Sequence, residues 1–299
     1  MRLVITAIPV MREIAQTIAR EAPNAWVIIF KNPAGIVTEA MRGVLGDRVV
    51  GICDIPIGLV KRVARLLGVS ASEMNERVRY DYAGLNHLGW LRKVYVDGMD
   101  QLPEVLDSDA SLSQIKEARL IGFDWVHAER ALPNEYLYYY PNGNKAVEAI
   151  NEKGQTRGEF LLEQQARFYD GAQLAESPYA LWREVLHERE AAYMAESRGE
   201  GEEREEADVA GGGYQEVALR LMAALATGRT ERIILNVGNR AGGIGGIGVL
   251  RVIDTLPEDC TIEVPCLVDQ NGIQPGAVSQ LPSNTWGSWP ASVVLRGTS

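Results

Sequence analysis

The fold is decided by residues 25–56, AWVIIFKNPAGIVTEAMRGVLGDRVVGICDIP, in which apolar runs of strand length alternate with helical segments. The first run is continuous, which is typical of a parallel strand buried on both faces. The spacing predicts strands and helices in alternation over residues 25–30, 34–45, 48–53 and 57–67. Because strands joined in this way lie in one sheet with helices on its faces, the segment predicts a doubly wound α/β unit.

Polar residues follow each of the two predicted strands. Asn32 comes after the first strand, and Cys53 and Asp54 come after the second. In doubly wound sheets, ligands bind at the carboxyl ends of the strands. We also expect Asn32 to be the N-cap of the helix over 34–45, with Pro33 at its first position.

The pattern changes near residue 90 to mixed helices and short strands. Further helices are predicted over residues 8–22, 155–192 and 214–227, and further strands over 232–237 and 261–264. Residues 196–213 are acidic and rich in glycine, which predicts a mobile loop.

The composition excludes several classes of protein. The chain has 299 residues, of which 46% are hydrophobic and 23% charged, as expected of a globular protein with a sizeable core. A net charge of −10 argues against nucleic acid or an anionic membrane as the main partner. Three cysteines are too few for a disulfide framework, and the chain has neither a long apolar run nor a signal peptide pattern. These features predict a soluble protein of the cytoplasm.

A thiol and an imidazole are the strongest candidates for a metal site. Cys53 closes a predicted strand, and His87, one of three histidines, lies in the turn-like segment GLNHLGW at 84–90. A catalytic divalent metal needs such ligands as thiolate and neutral imidazole, with positions left open for a substrate. The alternative is an inert buried thiol and an ordinary loop histidine.

Five motifs occur in order along the chain, and together they resemble glycoside hydrolase family 4, the NAD- and metal-dependent 6-phosphoglycosidases. The motifs are NP at 32–33, CDIP at 53–56, GLNH at 84–87, LPNEY at 132–136 and EVPC at 263–266. The resemblance runs from about residue 8 to about 282. It implies that 1–90 is the C-terminal part of a Rossmann-like doubly wound sheet, and that 91–299 is a mixed α+β catalytic and dimerisation domain.

The resemblance also implies a reaction that differs from hydrolysis by two carboxylates. In this family NAD oxidises the sugar at C3, which acidifies the C2 hydrogen so that a base removes it and the aglycone leaves. Water then adds, and C3 is reduced again. Mn²⁺ or another divalent metal stabilises the charge that develops at C2 and C3.

Individual residues match the roles of the family. Cys53 and His87 match its metal ligands, and Tyr136 matches its base, whose pKa of about 10 a nearby cation would lower. Asp54 matches the acid that assists the leaving oxygen, although a helix cap is the alternative. Asn32 and Arg157 match substrate-binding positions.

Within that match, Arg157 would pair with the sugar 6-phosphate. The alternative is a surface salt bridge to a nearby glutamate.

The anomeric preference rests on conflicting residues. Asp54 is more common in members that act on α-linked substrates, whereas residues 32–40 and 136–140 look more like the β-acting branch. The interpretation is a 6-phospho-β-glucosidase acting on a phosphorylated disaccharide or aryl glucoside, with the α-specific enzyme as the alternative. Members of the family are commonly dimers or tetramers, so a homo-oligomer is expected.

The chain departs from the family near both ends. The glycine-rich turn that holds NAD and an early arginine have no counterpart, and residues 283–299 abandon the pattern. We therefore expect a truncated copy that binds NAD poorly, with an inactive remnant as the alternative to an enzyme.

A second glycine motif does not replace the missing one. The segment GIGGIG at 243–248 fits the dinucleotide template, but no acidic residue follows in a suitable second strand, so an inserted loop is favoured over an ordinary dehydrogenase. Cys260 and Cys266 have no histidine nearby in the sequence, so structural roles are expected for both.

Overall fold

The computed structural model describes residues 2–140, 142–198, 203–204, 213–240 and 251–279. The glycine motif at 243–248, residues 283–299 and most of the predicted loop at 196–213 lie outside the described residues. Two compact units divide the chain: unit 1 comprises the residues up to Glu135 and those from Gly213 onward, and unit 2 comprises Tyr136–Gly212. Residue 90, the predicted domain boundary, lies within a strand of unit 1.

Unit 1 is built on one mixed sheet. Its described strands are β1 (Val27–Ile29), β2 (Val49–Gly51), β3 (Val78–Leu85), β4 (Leu88–Val96), β5 (Met99–Asp100), β6 (Leu132–Pro133), β7 (Glu231–Gly238), β8 (Thr261–Asp269) and β9 (Gly272–Pro275). The order along the sheet is β1-β2-β7-β8-β3-β4-β5, with β6 paired to β4 and β9 to β8. Strands β1 and β2 are parallel, and the other described pairs are antiparallel.

The helices of unit 1 cover the sheet. They are α1 (Arg2–Glu21), α2 (Ala34–Leu45), α3 (Ile55–Leu66), α4 (Met74–Arg77), α5 (Leu102–Leu106), α6 (Asp109–Leu112), α7 (Lys116–Ile121), α8 (Phe123–Glu129) and α12 (Gly213–Thr227). One apolar cluster joins α3 and α5–α8 to β3 and β4, and another joins α12 to β2, β7 and β8. A third packs α1 on α2 and β1. The parallel pair with its helices, followed by an antiparallel extension, confirms the predicted fold class.

Unit 2 is helical in its described part. It contains α9 (Gly143–Glu152), α10 (Arg157–Ala172) and α11 (Pro178–Ala191). Gln164 joins α10 to α11, because its Nε2 donates to the carbonyl of Val185 at 3.1 Å and to Glu188 at 2.9 Å. The segment predicted as one long helix over 155–192 is therefore a pair of helices. The second begins where Ser177 caps it and Pro178 occupies its first turn.

Other element boundaries also differ from the predictions. Strand β1 has only three residues, and the flanking Trp26 and Phe30 are 37% and 50% exposed, so the apolar run is not all buried strand. Helix α1 begins at Arg2, with Pro9 inside it, rather than at residue 8. Among the described residues, no helix combines the length and the apolar character needed to cross a lipid bilayer.

Candidate active site

A row of paired residues crosses the sheet of unit 1 near the carboxyl ends of β1 and β2. It runs through Gly51, Asn236, Glu263 and Gly84 on the neighbouring strands β2, β7, β8 and β3. A Cβ at Gly51 would lie 2.9 Å from the Cβ of Asn236, closer than side-chain atoms pack. Glycine at position 51 therefore leaves room for the polar side chain of Asn236 in the middle of an otherwise apolar sheet.

Glu263 is the centre of this polar group and is fully buried. Its Oε1 accepts hydrogen bonds from the side-chain amides of Asn86 and Asn236, both at 3.0 Å, and its Oε2 accepts from the Tyr82 hydroxyl at 3.2 Å. The backbone N–H of His87 donates to the same carboxylate. Burial raises the pKa of Glu263 to about 7, and the four hydrogen bonds oppose that rise.

Tyr82 extends the network to a further motif. Its hydroxyl accepts a hydrogen bond from the side-chain amide of Asn134 at 3.2 Å, and the backbone N–H of Asn134 donates to the carbonyl of Gly89 at 2.9 Å. Burial raises the pKa of Tyr82, and the charge of Glu263 adds to the rise. Three separate sequence motifs therefore meet at one buried carboxylate.

His87 lies in the two-residue turn that joins β3 to β4. Its φ of 69° is in the left-handed region, and its backbone N–H is held by Glu263. The other turn residue, Asn86, accepts a hydrogen bond from the backbone N–H of Gly35 at the start of α2, at 3.3 Å. Burial lowers the pKa of His87 to about 4, so the imidazole is neutral at physiological pH.

Cys53 follows β2 and is 2% exposed. Burial raises its pKa well above the ordinary value, and the nearby charge of Glu263 adds to the rise. The group is therefore a neutral thiol in the protein alone. The Cys53 thiol therefore lies within electrostatic range of the carboxylate to which the backbone N–H of His87 donates, so both predicted ligand residues neighbour Glu263.

Asn32 and Asp54 lie beside the same strand ends, but neither caps a helix with its side chain. Helix α2 has Pro33 at its N-cap, and the side chain of Asn32 instead hydrogen-bonds to Tyr214. The prediction of Asn32 as N-cap is therefore wrong. Asp54 occupies the N-cap position of α3 without a capping bond from its side chain, which packs against Gly213 at the start of α12.

Tyr136 and Arg157 belong to unit 2, where both lie against Tyr193. The rings of Tyr136 and Tyr193 meet edge to face with centroids 6.4 Å apart, and the Arg157 guanidinium lies 5.8 Å from the Tyr193 centroid. Arg157 also lies over Phe160 at 5.2 Å and donates to the carbonyl of Arg189 at 2.8 Å. The guanidinium thus binds a helix carbonyl, and Glu190 and Glu196 are close enough to act on it electrostatically.

Several residues of the site were given no role by the sequence analysis. They are Tyr82, Asn86, Asn134, Tyr214, Asn236 and Glu263. A signal existed for Glu263, which is the only charged residue of the strand segment TIEVPCLV at 261–268. No comparable signal marked Tyr214, whose contacts come from elements far apart in the sequence.

The donor chemistry of the site fits a divalent metal. A neutral imidazole and a buried cysteine supply nitrogen and sulfur, and the thiol would release its proton on binding. Within the described ranges no group of three or more His, Cys, Asp and Glu side chains is arranged to hold a metal. A metal at this site could be held by Cys53 and His87, with substrate oxygens and water in the other positions.

The described residues do not supply the usual cradle for a dinucleotide. The turn from β1 to α2 contains Asn32 and Pro33, and the turn from β2 to α3 contains Cys53 and Asp54. Neither is glycine-rich, so neither offers the close backbone approach that a pyrophosphate needs.

Comparison with known families gives two matches that together cover most of the chain. Residues 3–69 match the model described as family 4 glycosyl hydrolase, and residues 82–290 match the model of the family 4 glycosyl hydrolase C-terminal domain. The matches extend beyond the predicted limits of about 8 and 282.

Relatives named as glucosidases of phosphorylated substrates are similar to the chain. A probable 6-phospho-beta-glucosidase of Bacillus subtilis is 28% identical over 94% of this chain and 57% of its own length. The maltose-6'-phosphate glucosidase MalH of Clostridium acetobutylicum is 26% identical over 90% of this chain and 57% of its own length. The chain thus spans somewhat more than half the length of these relatives.

Solved structures show the same fold. The 6-phospho-beta glucosidase of Thermotoga maritima, solved with manganese, NAD+ and glucose-6-phosphate, has a TM-score of 0.67 at 22% identity and covers 94% of this chain and 57% of its own. A 6-phospho-alpha-glucosidase from gut microorganisms, in complex with NAD and Mn2+, has a TM-score of 0.64 at 24% identity and covers 94% and 59%.

Proposed function

The chain belongs to family 4 of the glycosyl hydrolases, and from that membership we propose that it hydrolyses 6-phospho-β-glucosides with the help of a divalent metal and NAD. The observation that supports the proposal is that Cys53 lies within electrostatic range of the buried carboxylate of Glu263, to which the backbone N–H of His87 donates. A thiol and a neutral imidazole at the carboxyl ends of sheet strands are suited to a catalytic metal with open positions.

The proposed reaction proceeds by oxidation at C3 of the sugar, removal of the C2 proton with elimination of the aglycone, and addition of water. Bound at Cys53 and His87, the metal, Mn²⁺ in the solved relative of Thermotoga maritima, would supply Lewis acidity toward sugar oxygens. NAD would accept the hydride, and it is proposed from the relatives solved with it. We assign no hydride step to the described residues, since they lack the glycine-rich turn.

The chain's own residues have these proposed roles. Tyr136 removes the C2 proton, and Asp54 gives a proton to the departing glycosidic oxygen. Asn32 binds the sugar, and Arg157 binds its 6-phosphate through a forked, charge-assisted contact. The NH1 group of Arg157 is buried and makes no hydrogen bond within the described residues, so this donor is not used by the described protein itself.

The remaining features of the proposal concern the whole protein. We propose residues 1–90 as the C-terminal part of the family's Rossmann-like domain and 91–299 as its catalytic and dimerisation domain. The substrate is a phosphorylated disaccharide or aryl glucoside, and the protein is a homo-oligomer. A cytoplasmic location remains a prediction from the small number of cysteines.

A second candidate is a 6-phospho-α-glucosidase. The observation that favours it is Asp54, because a carboxylate at this position is typical of α-acting members in the resemblance described above. The presence of maltose-6'-phosphate glucosidases among the relatives agrees with this alternative.

Hydrolysis of p-nitrophenyl 6-phospho-β-glucoside and of its α-anomer tests the proposal. The assay contains Mn²⁺ and a reductant, with and without NAD, and compares the wild type with Tyr136→Phe and with Tyr169→Phe, an exposed tyrosine of α10, as the matched control. We expect NAD- and Mn²⁺-dependent release from the β-anomer, which Tyr136→Phe lowers by roughly 10²- to 10⁴-fold.

Other outcomes separate the alternatives. Release from the α-anomer alone would establish the second candidate. Absence of turnover with retained Mn²⁺ binding would favour an inactive remnant, and activity independent of both NAD and Mn²⁺ would contradict the proposed mechanism.

A further inference from the structure

Tyr214, in the first turn of α12, contacts residues that follow two different strands. Its hydroxyl donates to the Sγ of Cys53 at 3.9 Å and is also hydrogen-bonded to the side chain of Asn32. Its ring stacks on Phe30, with centroids 6.3 Å apart and an angle of 30° between the planes. One tyrosine therefore links the strand ends of β1 and β2.

The residue before it fixes the same helix turn against the site. A Cβ at Gly213 would lie 2.5 Å from Oδ2 of Asp54 and 2.7 Å from its Cβ, so only glycine allows this approach. The first turn of α12 thus contacts Asn32, Cys53 and Asp54. These are all the candidate site residues of unit 1 apart from His87.

The direction of the hydrogen bonds gives Tyr214 a specific task. A phenol has one proton, and here it points to the Cys53 sulfur, so the phenol oxygen is left to accept from the amide of Asn32. The result is a relay from Asn32 through Tyr214 to the sulfur. A donor of this kind fixes the orientation of a metal ligand and stabilises the negative charge that the sulfur acquires on binding.

We propose that Tyr214 is a positioning residue, whose hydroxyl orients the Cys53 sulfur toward the metal and holds Asn32 in place for the sugar. The inference rests on the proposed function, since it assumes that Cys53 is a ligand and that Asn32 meets the substrate. It adds a residue to which the sequence analysis assigned no role.

Ring packing is the competing explanation for Tyr214, and two substitutions separate it from the hydroxyl. Tyr214→Phe keeps the ring on Phe30 and removes only the hydroxyl. Phe30→Leu removes the stacking partner, which is 50% exposed, and keeps the hydroxyl. If the hydroxyl matters, the first change affects the metal site and the second affects stability alone.

The experiment is a titration of Co²⁺ into the full chain, followed by the absorption band that a thiolate gives when bound to cobalt. We expect Tyr214→Phe to bind Co²⁺ about 10-fold or more weakly, as for other partners of metal ligands, and to move the band to longer wavelength. Phe30→Leu should keep both the affinity and the band. In turnover assays Tyr214→Phe should raise KM through Asn32 more than it lowers kcat.

Wild-type affinity with an unchanged band in Tyr214→Phe would overturn the inference while leaving the metal site intact, provided that Cys53→Ser abolishes the band. A wild-type chain that gives no thiolate band would overturn the metal site and the role of Tyr214 together. The two failures are therefore distinguishable in one set of spectra.

Discussion

Burial of the Glu263 carboxylate costs solvation free energy, and the four donors around it offset part of that cost. The neutral form of Glu263 is nevertheless favoured more strongly in the folded protein than in water, since its pKa rises from 4.5 to about 7. The network therefore makes the stability of the metal-free protein depend on pH.

The sign of this dependence is a first prediction. The contribution of Glu263 is fully present below pH 4.5, the unfolded value, and is lost as the pH rises through about 7, the folded value. At about 1.4 kcal/mol per pKa unit, the loss is about 3 to 4 kcal/mol. In urea unfolding experiments, the free energy of unfolding of Glu263→Gln should therefore increase relative to that of the wild type, by this amount, as the pH rises from 4.5 to about 7. A constant difference would contradict it.

For His87, the stability of the protein should depend on pH with the opposite sign. Its pKa falls from 6.5 to about 4 on folding, so its contribution is present above pH 6.5 and is lost as the pH falls through 4. Relative to the wild type, His87→Gln should therefore gain stability as the pH is lowered across this range. The measurement is the same urea unfolding of metal-free protein, and a variant that gains stability on raising the pH instead would refute the assignment.

At the residue scale the sequence predicted part of this arrangement. The ends of apolar runs marked Cys53, Asp54 and Asn32, because strand ends can be read from hydrophobicity alone. The role of Glu263 could not be read in the same way, because its partners come from β3 and β7, and their register with β8 is a property of the folded sheet.

Two glycines, one in a strand and one in a helix, give a prediction for single secondary-structure elements. A Cβ at Gly89 in β4 would collide with the hydroxyl of Tyr82, so Gly89→Ala should destabilise the protein and displace Tyr82 from Glu263. Gly43 in α2 has nothing within 4 Å of such a Cβ. Gly43→Ala should therefore stabilise by about 0.5–1 kcal/mol.

Urea unfolding of both alanine variants measures the contrast, because each adds the same methyl group. Equal changes in the free energy of unfolding would show that the approach of Tyr82 to β4 imposes no steric limit.

The start of α10 allows a separate test in unit 2. Thr156 accepts from the N–H of Glu159, and the Glu159 carboxylate accepts from the N–H of Thr156, which is a complete capping box. Thr156→Ala should cost about 1 kcal/mol and speed amide hydrogen exchange in the first turn of α10. Thr17→Ala, in the exposed interior of α1, is the control and should leave exchange in α10 unchanged. Unchanged exchange in Thr156→Ala would argue against the box.

Element types were easier to predict than element boundaries. The parallel pair with its helices follows from apolar runs punctuated by Pro33 and Pro56, which constrain the chain locally. The break between α10 and α11 was missed because both segments have helical periodicity, and only the cap at Ser177 with Pro178 separates them.

At the scale of the whole molecule, unit 1 carries four candidate site residues and unit 2 carries Tyr136 and Arg157. Unit 1 joins segments from both ends of the described chain in one sheet, because β7 and β8 insert between β2 and β3. Those segments lie more than a hundred residues apart in the sequence. Only the resemblance of the motifs predicted that they act together.

Calorimetric titration of Mn²⁺ shows whether this sheet assembles a divalent-metal site from Cys53 and His87. The proteins to compare are the wild type, Cys53→Ser and Cys260→Ser, a partly exposed cysteine that serves as the matched control. We expect one Mn²⁺ per chain with equal affinity in the wild type and Cys260→Ser, and loss of binding in Cys53→Ser. Equal binding by all three proteins, or no binding by the wild type, would contradict it.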